Sequence, residues 1–276
     1  MRIDYIKMDP TGNTTVLVKT PVPRTRQAAL AARLLGDGGV GGEQVGYIEP
    51  ARDPRARARL QMMGGEFCGN ATMSLGALLA REAGLAAGET AEYTFEVSGS
   101  DDLVPCRVRR DGDGWAGDVR MPLPTAIREV ALETDGGVLN VPLVELPGIA
   151  HLILPADAGL DEAFLRAHMP ELCRRLSADA MGALTWDAAN VWLDPLVYVP
   201  SAGTLVREHS CGSGSAAIGC WLAARAGHSL ETAVRQPGGT IVVRAEMKSG
   251  APSAVTIRGR VALLEEGTTT VCEEEG

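Results

Sequence analysis

One segment of this chain occurs twice. Around Cys68 the sequence reads GGEFCGNATMSLGALLAREAGL, and around Cys211 it reads REHSCGSGSAAIGCWLAARAGH. With the two cysteines superposed, the pairs that match without a gap are Gly69/Gly212, Gly76/Gly219, Leu79/Leu222, Ala80/Ala223, Ala83/Ala226 and Gly84/Gly227. The offset, 211 − 68 = 143 residues, is close to half of the 276-residue chain. The repeat therefore predicts two copies of one unit, each with a cysteine at the start of a helix.

The residues after each cysteine are typical of a buried helix. Uncharged runs follow at 73–80 and 216–224, and Gly84 and Gly227 stand where a C-terminal cap belongs. A helix that is apolar all round must be buried, so each one is expected to run through the middle of its own domain. Unpaired backbone N–H groups and the positive end of the helix dipole lie at such an N-terminus. They lower the pKa of a thiol there and form a binding site for an anion.

Composition excludes several classes of function. The net charge is −9 and the pI is near 5.0, which disfavours nucleic acid and anionic membranes as partners. The chain has no charged-then-apolar leader and no 18-residue apolar span, so we expect a cytoplasmic protein. The six cysteines form no C-x-x-C pair, and no metal site is predicted. The four outside the repeat positions are expected to be small hydrophobic or incidental residues: Cys106, Cys173, Cys220 and Cys272.

The rest of the chain predicts an α+β fold. In the first half, strands are predicted at 1–9, 14–19, 45–48, 92–97, 103–110 and 115–121, with a helix at 25–35. In the second half, strands are predicted near 130 and 143 and at 232–235, 240–247 and 254–263, with an amphipathic helix at 161–177. Hairpin connections predominate, so each half is expected to wrap a mainly antiparallel sheet or barrel around its central helix. The predicted domains are 1–120 and 121–261, separated near the MPLP stretch at 121–124.

Several motifs in the right order resemble the diaminopimelate epimerase-like family of cofactor-independent amino-acid racemases. EFCGNA and SCGSGSAA match its two cysteine signatures, and MDPTGN at 8–13 matches its N-terminal turn. GVGGEQ at 39–44, PGIAH at 147–151 and RQPGGTIVV at 235–243 match further family segments. The resemblance covers nearly the whole chain and implies two pseudo-symmetric domains. It also implies that residues 262–276 return to the first domain and that the protein is a homodimer.

The resemblance implies an isomerase that needs neither pyridoxal phosphate nor a metal. Inverting a Cα centre requires removal of a proton from one face and delivery of another to the opposite face. A thiolate and a thiol, Cys68 and Cys211, would share these tasks. The resemblance implies that His151 is the general-base partner of Cys68 and that Glu208 is the acidic partner of Cys211. Glu43, Glu66 and His209 are lesser candidates.

The same resemblance implies how an amino-acid substrate would be held. Backbone donors at the two helix starts would bind its carboxylate: Gly69, Asn70, Gly212 and Ser213. Asn13 and Gln44 match further substrate contacts of the family, although an asparagine after glycine also commonly serves a turn.

Departures from the family concern the far end of the substrate. The Glu-Arg-Gly element that precedes the second cysteine in diaminopimelate epimerases is missing from VYVPSAGTLVREHS at 197–210. Ile149 replaces an asparagine, GALTWD at 182–187 replaces a G-x-N-V segment, and Gln61 stands near another expected asparagine. A distal carboxylate would lose its partners, at a cost of several kcal/mol in a closed site. Diaminopimelate is therefore not the expected substrate.

A shorter, neutral or aromatic amino acid would suit such a pocket. The cysteine segments are similar to those of histidine racemases that make D-histidine for opine-type metallophores, with Glu43 or Asp187 as candidate acceptors for an imidazole. Three alternatives stay open. They are a diaminopimelate epimerase with an altered distal pocket, a redox protein with a reversible Cys68–Cys211 disulfide, and a non-catalytic amino-acid-binding protein.

Overall fold

The computed structural model describes residues 1–134, 136–200 and 203–271 and divides the chain into two units. Unit 1 comprises Met1–Arg120 together with residues from Arg258 onward, and unit 2 comprises Met121–Ile257. The division falls inside the last strand, which therefore contributes residues to both units. Residues 272–276, including Cys272 and the end of the predicted returning segment, lie outside the described residues.

The described residues of unit 1 form two helices and several strands. Its elements are β1 (Arg2–Pro10), β2 (Thr15–Val18), α1 (Arg24–Leu35), β3 (Gln44–Glu49), β4 (Ala58–Met62), α2 (Gly69–Glu82), β5 (Thr90–Val97), β6 (Val104–Asp111) and β7 (Gly114–Arg120). Neighbouring strands follow the order β1-β2-β3-β4-β5-β6-β7, and β16 (Ala251–Thr270) pairs with β1 in antiparallel register from Arg2↔Thr270 to Pro10↔Val261.

Unit 2 repeats this order of elements with small additions. Its elements are β8 (Ala126–Thr134), β9 (Gly137–Leu146), β10 (Ile149–Pro155), a 3-10 turn (Ala156–Ala158), α3 (Glu162–Arg175), β11 (Met181–Asp187), β12 (Trp192–Val199), β13 (Thr204–Arg207), α4 (Gly212–Ala226), β14 (Leu230–Gln236), β15 (Gly239–Lys248) and the first part of β16. The predicted α+β class is confirmed.

Most strand pairs are antiparallel, and the parallel pairs fall at equivalent places in the two units. In unit 1, β2 pairs in parallel with β3 across α1, and β4 with β5 across α2. In unit 2, β10 pairs in parallel with β11 across α3, and β12 with β14 across α4. A parallel pair needs a crossover connection, which each helix supplies. The duplication seen around the cysteines therefore extends to the sheet topology.

The central helix of each unit is buried, as its composition predicts. Helix α2 is buried from Gly69 through Leu78, and most of α4 is buried likewise. Gly76 and Gly219, which the repeat superposes, allow close contact with the sheet. A Cβ on Gly76 would lie 2.7 Å from the Cys106 sulfur, and one on Gly219 would lie 2.4 Å from Val243 Cγ1. These repeated glycines therefore set the distance between helix and sheet.

The sequence pattern failed to predict β4 and the four strands from β10 to β13. Strands β10 and β11 are buried along nearly their whole length. They pair in parallel, and strands of that kind read as continuous apolar runs rather than alternating ones. The alternation that reveals a half-exposed strand is absent there.

Candidate functional site

Both repeat cysteines occupy the N-cap position of a central helix. Cys68 (φ −134°, ψ 109°) precedes α2, and Cys211 (φ −111°, ψ 107°) precedes α4, both with extended backbone. Each sulfur accepts a hydrogen bond at 3.4 Å from the N–H three residues on, that of Ala71 or Gly214. Side-chain acceptors at this position satisfy helix N–H groups, and the helix dipole stabilises negative charge there. Each helix start thus supplies one hydrogen bond that favours the thiolate form of its cysteine.

A chain of hydrogen bonds joins Cys68 to the N-terminal turn. The thiol donates to Gln44 Oε1 at 3.1 Å, and Gln44 Nε2 donates to Thr15 Oγ1 at 2.8 Å. The Thr15 hydroxyl donates in turn to the carbonyl of buried Asn13 at 3.1 Å. The parallel register of β2 and β3 places Thr15 opposite Gln44. Three of the sequence-predicted residues, Asn13, Gln44 and Cys68, therefore lie in one network.

Cys211 has a charged partner. Its thiol is hydrogen-bonded to the carboxylate of Glu208, and the residue is only 4% exposed. Burial first, and then the charge of Glu208, raises the pKa of the Cys211 thiol well above its usual value. Hydrogen bonds from Ser213 and from the Gly214 N–H act in the opposite direction. The structure thus brings Glu208 to Cys211, and its role as the acidic partner that the resemblance implies stays a prediction.

His151 lies on β10 and contacts the start of helix α4. Its imidazole is fully buried, and Nε2 lies 3.0 Å from Ser213 Oγ, which is 3.5 Å from the Cys211 sulfur. Burial lowers the pKa of His151 to about 3, so the ring is neutral near pH 7. The contact that the structure describes is with the Cys211 helix, and the pairing of His151 with Cys68 stays a prediction.

The buried side chain of Gln236 also holds Cys211, and sequence reasoning missed it. Gln236 Oε1 accepts from the Cys211 N–H at 2.7 Å, and Nε2 donates to Ser215 Oγ at 2.9 Å. The Ser215 hydroxyl donates to the Cys211 carbonyl at 2.7 Å. Gln236 ends β14, just before the PGG turn that the family motif contains. This position before the turn is the one feature of the sequence that could have pointed to a role for Gln236.

Unit 1 uses a serine at the corresponding strand end. The Ser98 hydroxyl follows β5, accepts from the Met62 N–H at 2.9 Å and donates to the Glu66 carbonyl at 2.7 Å. It therefore fixes the loop that leads into Cys68. In both units, a polar side chain beyond the central helix braces the segment that presents the cysteine.

The predicted backbone donors are the first two residues of each helix. Gly69 and Asn70 begin α2, and Gly212 and Ser213 begin α4. N–H groups at these positions have no acceptor within their own helix. Together with the helix dipole, they suit a carboxylate or another anion.

The lesser acid and base candidates lie at the surface. Glu43, Glu66 and His209 are exposed. Although Glu66 as a residue is exposed, burial of its carboxylate raises the pKa of that group, which accepts hydrogen bonds from its own N–H and from that of Gly64. The His209 carbonyl accepts from the Gly238 N–H at 2.7 Å. Neither of these contacts connects them to a cysteine thiol.

Asp187, a candidate acceptor for an imidazole, and Gln61, which stands near an expected asparagine, both hydrogen-bond to residues close to them in the chain. The Asp187 carboxylate accepts from the backbone N–H groups of Ala189 and Asn190, as in a turn. Gln61 Oε1 accepts from Arg59 at 3.3 Å, and its Nε2 donates to the Met62 carbonyl at 3.1 Å. Both side chains thus have structural partners.

The arginine next to Glu208 is held by carboxylates. Arg207 Nη2 donates to Glu162 at 3.0 Å, and Nη1 donates to Asp194. These ion pairs tie β13 to α3 and β12 and compete with any substrate carboxylate for the guanidinium group.

Three further cysteines belong to the interior. Cys106, Cys173 and Cys220 are buried free thiols, and burial raises the pKa of all three, that of Cys220 to about 12. The prediction that they are small core residues is confirmed for these three. Within the described ranges, no three His, Cys, Asp or Glu side chains are grouped to hold a metal ion. None of the helices described is both long and apolar enough to cross a bilayer.

Comparison with known proteins identifies the family. The family described as the histidine racemase CntK N-terminal domain matches residues 2–270. The chain belongs to this family. It is 29% identical over 269 residues to a histidine racemase of Staphylococcus aureus, covering 96% of both chains. It is also 29% identical over 271 residues to a histidine racemase of Fusobacterium nucleatum, covering 94% of this chain and 97% of that one.

A solved structure with a related fold extends the comparison. A probable proline racemase from Agrobacterium radiobacter K84 superposes with a TM-score of 0.73 at 17% identity, covering 99% of this chain and 93% of that one. The resemblance inferred from the cysteine motifs is confirmed. The protein is an isomerase of the amino-acid racemase class.

Proposed function

We propose that this enzyme interconverts L- and D-histidine by proton transfer between the substrate Cα and two thiols, those of Cys68 and Cys211. The observation that carries the proposal is that each cysteine caps a central helix and accepts a hydrogen bond from its N–H groups. Binding alone would not need two thiols at equivalent places of a duplicated chain.

The reaction balances without an added cofactor. One cysteine, as thiolate, removes the Cα proton and becomes a thiol. The other, as thiol, delivers its proton to the opposite face of the carbanion and becomes a thiolate. The product has the inverted configuration, and the roles of the two sulfurs are exchanged, which readies the enzyme for the reverse reaction.

The negative charge that develops during this transfer spreads into the substrate carboxylate. The N–H groups of Gly69, Asn70, Gly212 and Ser213 are the donors we propose for it, with the dipoles of α2 and α4 adding to the stabilisation. Asn13 and Gln44 are proposed as further substrate contacts, since their network already leads to the Cys68 sulfur.

Acid–base partners differ between the two thiols. Glu208, which is hydrogen-bonded to Cys211, is the group we propose to take its proton when that sulfur must act as a base. Cys68 has the neutral amide of Gln44 instead. The proposal therefore makes Cys211 the thiol that holds its proton more firmly in the free enzyme.

The preference for histidine over diaminopimelate rests on missing distal partners. Arg207 is engaged by Glu162 and Asp194, the Gln61 amide by Arg59 and Met62, and Ile149 offers no polar side-chain atom. A second carboxylate would enter such surroundings unpaired, at about 1–3 kcal/mol or more. Two histidine racemases match along nearly the whole chain at 29% identity, above the 27% of a diaminopimelate epimerase that matches over a similar length, which favours histidine.

The proposal includes a cellular role. D-histidine would be supplied to an enzyme that condenses amino acids into an opine-type metallophore. We further propose a cytoplasmic homodimer. Light scattering of the purified protein tests the oligomeric state, and the loss of metallophore in a deletion strain tests the role.

The first experiment is Cα deuterium incorporation from D₂O, with reductant and without added cofactor. The substrates are both histidine enantiomers, other common amino acids and the diaminopimelate stereoisomers. Exchange with histidine but not diaminopimelate supports the proposal, whereas exchange with diaminopimelate alone overturns the substrate assignment. A total lack of exchange, with a disulfide between Cys68 and Cys211 that forms and breaks reversibly, would favour redox chemistry.

Single cysteine variants test the two-thiol mechanism. Cys68→Ser and Cys211→Ser are each expected to lower racemisation by about 10³-fold, because a hydroxyl is a far weaker acid than a thiol. Cys220→Ala, which changes a buried thiol of the same helix α4, is the matched control and should retain activity. Full racemisation in both directions by either serine variant would exclude the mechanism.

A further inference from the structure

We propose that His151 acts on Cys211 as a positioning residue, holding the Ser213 hydroxyl so that it donates a hydrogen bond to the Cys211 sulfur. The inference deepens the proposed function, on which its catalytic meaning rests. It differs from a role as general base, because the imidazole would neither take nor give a proton during turnover.

Within unit 2, the Ser213 side chain lies between those of His151 and Cys211. His151 Nε2 lies 3.0 Å from Ser213 Oγ, and Ser213 Oγ lies 3.5 Å from Cys211 Sγ, which suits a hydrogen bond to sulfur. His151 is 0% exposed and Cys211 is 4% exposed. Both flanking side chains are therefore shielded from water, and the half-buried Ser213 hydroxyl between them lies within hydrogen-bond distance of both.

The surroundings of the imidazole decide which nitrogen carries the proton. Nδ1 is buried and has no hydrogen-bond partner among the residues that the structure describes. A proton on Nδ1 would create a buried unpaired donor, which is costly. A proton on Nε2 is donated to Ser213 Oγ and leaves the serine hydrogen for the sulfur. The favoured tautomer is thus the one that aims Ser213 at Cys211.

Gly182 makes room for the ring in this position. It lies opposite His151 in the parallel pair of β10 and β11. A Cβ on Gly182 would lie 2.1 Å from Nδ1 and 2.7 Å from Cε1. No other residue could stand beside the imidazole without moving it, so the adjacent strand is shaped to keep His151 against Ser213.

The proposal explains how a buried thiol next to a carboxylate can still become a thiolate. Burial, and after it the charge of Glu208 at the sulfur, favours the protonated thiol. The hydroxyl of Ser213 and the N–H of Gly214 favour the thiolate. His151 carries no charge near pH 7 and exerts its effect through the direction of one hydroxyl.

The test uses the full-length protein in a Cys68→Ser background. The pH dependence of thiolate ultraviolet absorbance is followed as the difference from the Cys68→Ser/Cys211→Ser protein, because Cys211 is only 4% exposed. Iodoacetamide alkylation at Cys211, followed by peptide mass spectrometry, is the second measure. His151→Phe and Ser213→Ala should each slow alkylation near pH 7 by about fivefold, the equivalent of one hydrogen bond of about 1 kcal/mol. The double variant should be no slower than either single one, because both changes remove the same interaction.

Two further variants separate positioning from a loss of packing. His151→Gln, whose amide can donate to Ser213, should recover part of the rate. Gly182→Ala keeps the imidazole but displaces it, and should slow alkylation in the same way. Additive effects of His151→Phe and Ser213→Ala, or no effect of His151→Phe on Cys211, would overturn the proposal.

A reciprocal measurement addresses the pairing of His151 with Cys68. In a Cys211→Ser background, His151→Phe should leave the alkylation profile of Cys68 unchanged, and a shift there would overturn the proposal. Alkylation needs no substrate, so its outcome does not depend on whether histidine is the substrate of the enzyme. Failure of histidine exchange in D₂O would refute the proposed function and leave this result standing.

Discussion

The thiol of Cys211 is hydrogen-bonded to the carboxylate of Glu208, three residues earlier in the chain, whereas the thiol of Cys68 donates to the neutral amide of Gln44. The two cysteines occupy equivalent N-caps of a duplicated fold, yet one faces a full negative charge and the other a dipole. The proposed racemisation therefore starts from two chemically unequal thiols, and their partners should control its pH dependence.

Replacing Glu208 by glutamine should lower the pKa of Cys211. Burial and the Glu208 charge both raise that pKa. Once the charge is removed, burial is the remaining cause that raises it. In the direction that uses Cys211 as base, the acidic limb of the kcat/KM profile should move to lower pH. The maximal rate should fall by about 10²-fold, because an amide cannot accept the thiol proton. Racemisation assays in both directions across pH measure both effects.

The control for this variant is Glu129→Gln, the same charge change on an exposed residue of β8. It should reproduce neither effect. An acidic limb that stays in place in Glu208→Gln would show that this carboxylate does not control Cys211.

Replacing Gln44 by glutamate should make Cys68 resemble Cys211. The new carboxylate would accept from the thiol with a full charge and raise the Cys68 pKa. It would also lose the hydrogen bond that Nε2 donates to Thr15. Alkylation of Cys68 near pH 7 should slow, and racemisation should fall in the direction that uses Cys68 as base. Thiol titration in a Cys211→Ser background measures the shift.

Thr15→Val separates the charge from the lost hydrogen bond. It removes the acceptor of Gln44 Nε2 without adding charge. A smaller effect than that of Gln44→Glu is expected, and an equal effect would mean that anchoring of the amide, not charge, dominates.

The contrast between Cys68 and His151 shows what the sequence could predict. The role of a cysteine as N-cap is local, because the sulfur bonds an N–H only three residues on, and the repeat made the position visible twice. The His151–Ser213 contact joins residues 62 positions apart, and the Gln236–Cys211 contact joins residues 25 positions apart. Such contacts depend on strand register and on the packing of α4, which no local pattern encodes.

Gln236→Glu should loosen the start of α4. The carboxylate could still accept from the Cys211 N–H, but it would face the Ser215 oxygen without a proton to donate. The buried charge and the lost hydrogen bond should destabilise the protein by about 1–3 kcal/mol. Urea unfolding measures the loss, and the added charge should also slow alkylation of Cys211.

Asn140→Asp places the same new charge on an exposed residue of β9 and serves as the control. Its unfolding midpoint should stay near that of the unmodified protein. A Gln236→Glu protein with an unchanged midpoint would mean that the buried amide is not needed to hold the cysteine segment.

Gly219→Ala should destabilise the protein although alanine is the better helix former. In an exposed helix this change gains about 1 kcal/mol. Here the new Cβ would lie 2.4 Å from Val243 Cγ1 on β15, inside a packed core, and overpacking costs about 1–3 kcal/mol. Val243→Ala removes the obstructing methyl groups, so the double variant should be more stable than the sum of the two single effects predicts. Urea midpoints of the four proteins complete the cycle. A stabilising Gly219→Ala, or strictly additive effects, would mean that this glycine does not set the spacing between helix and sheet.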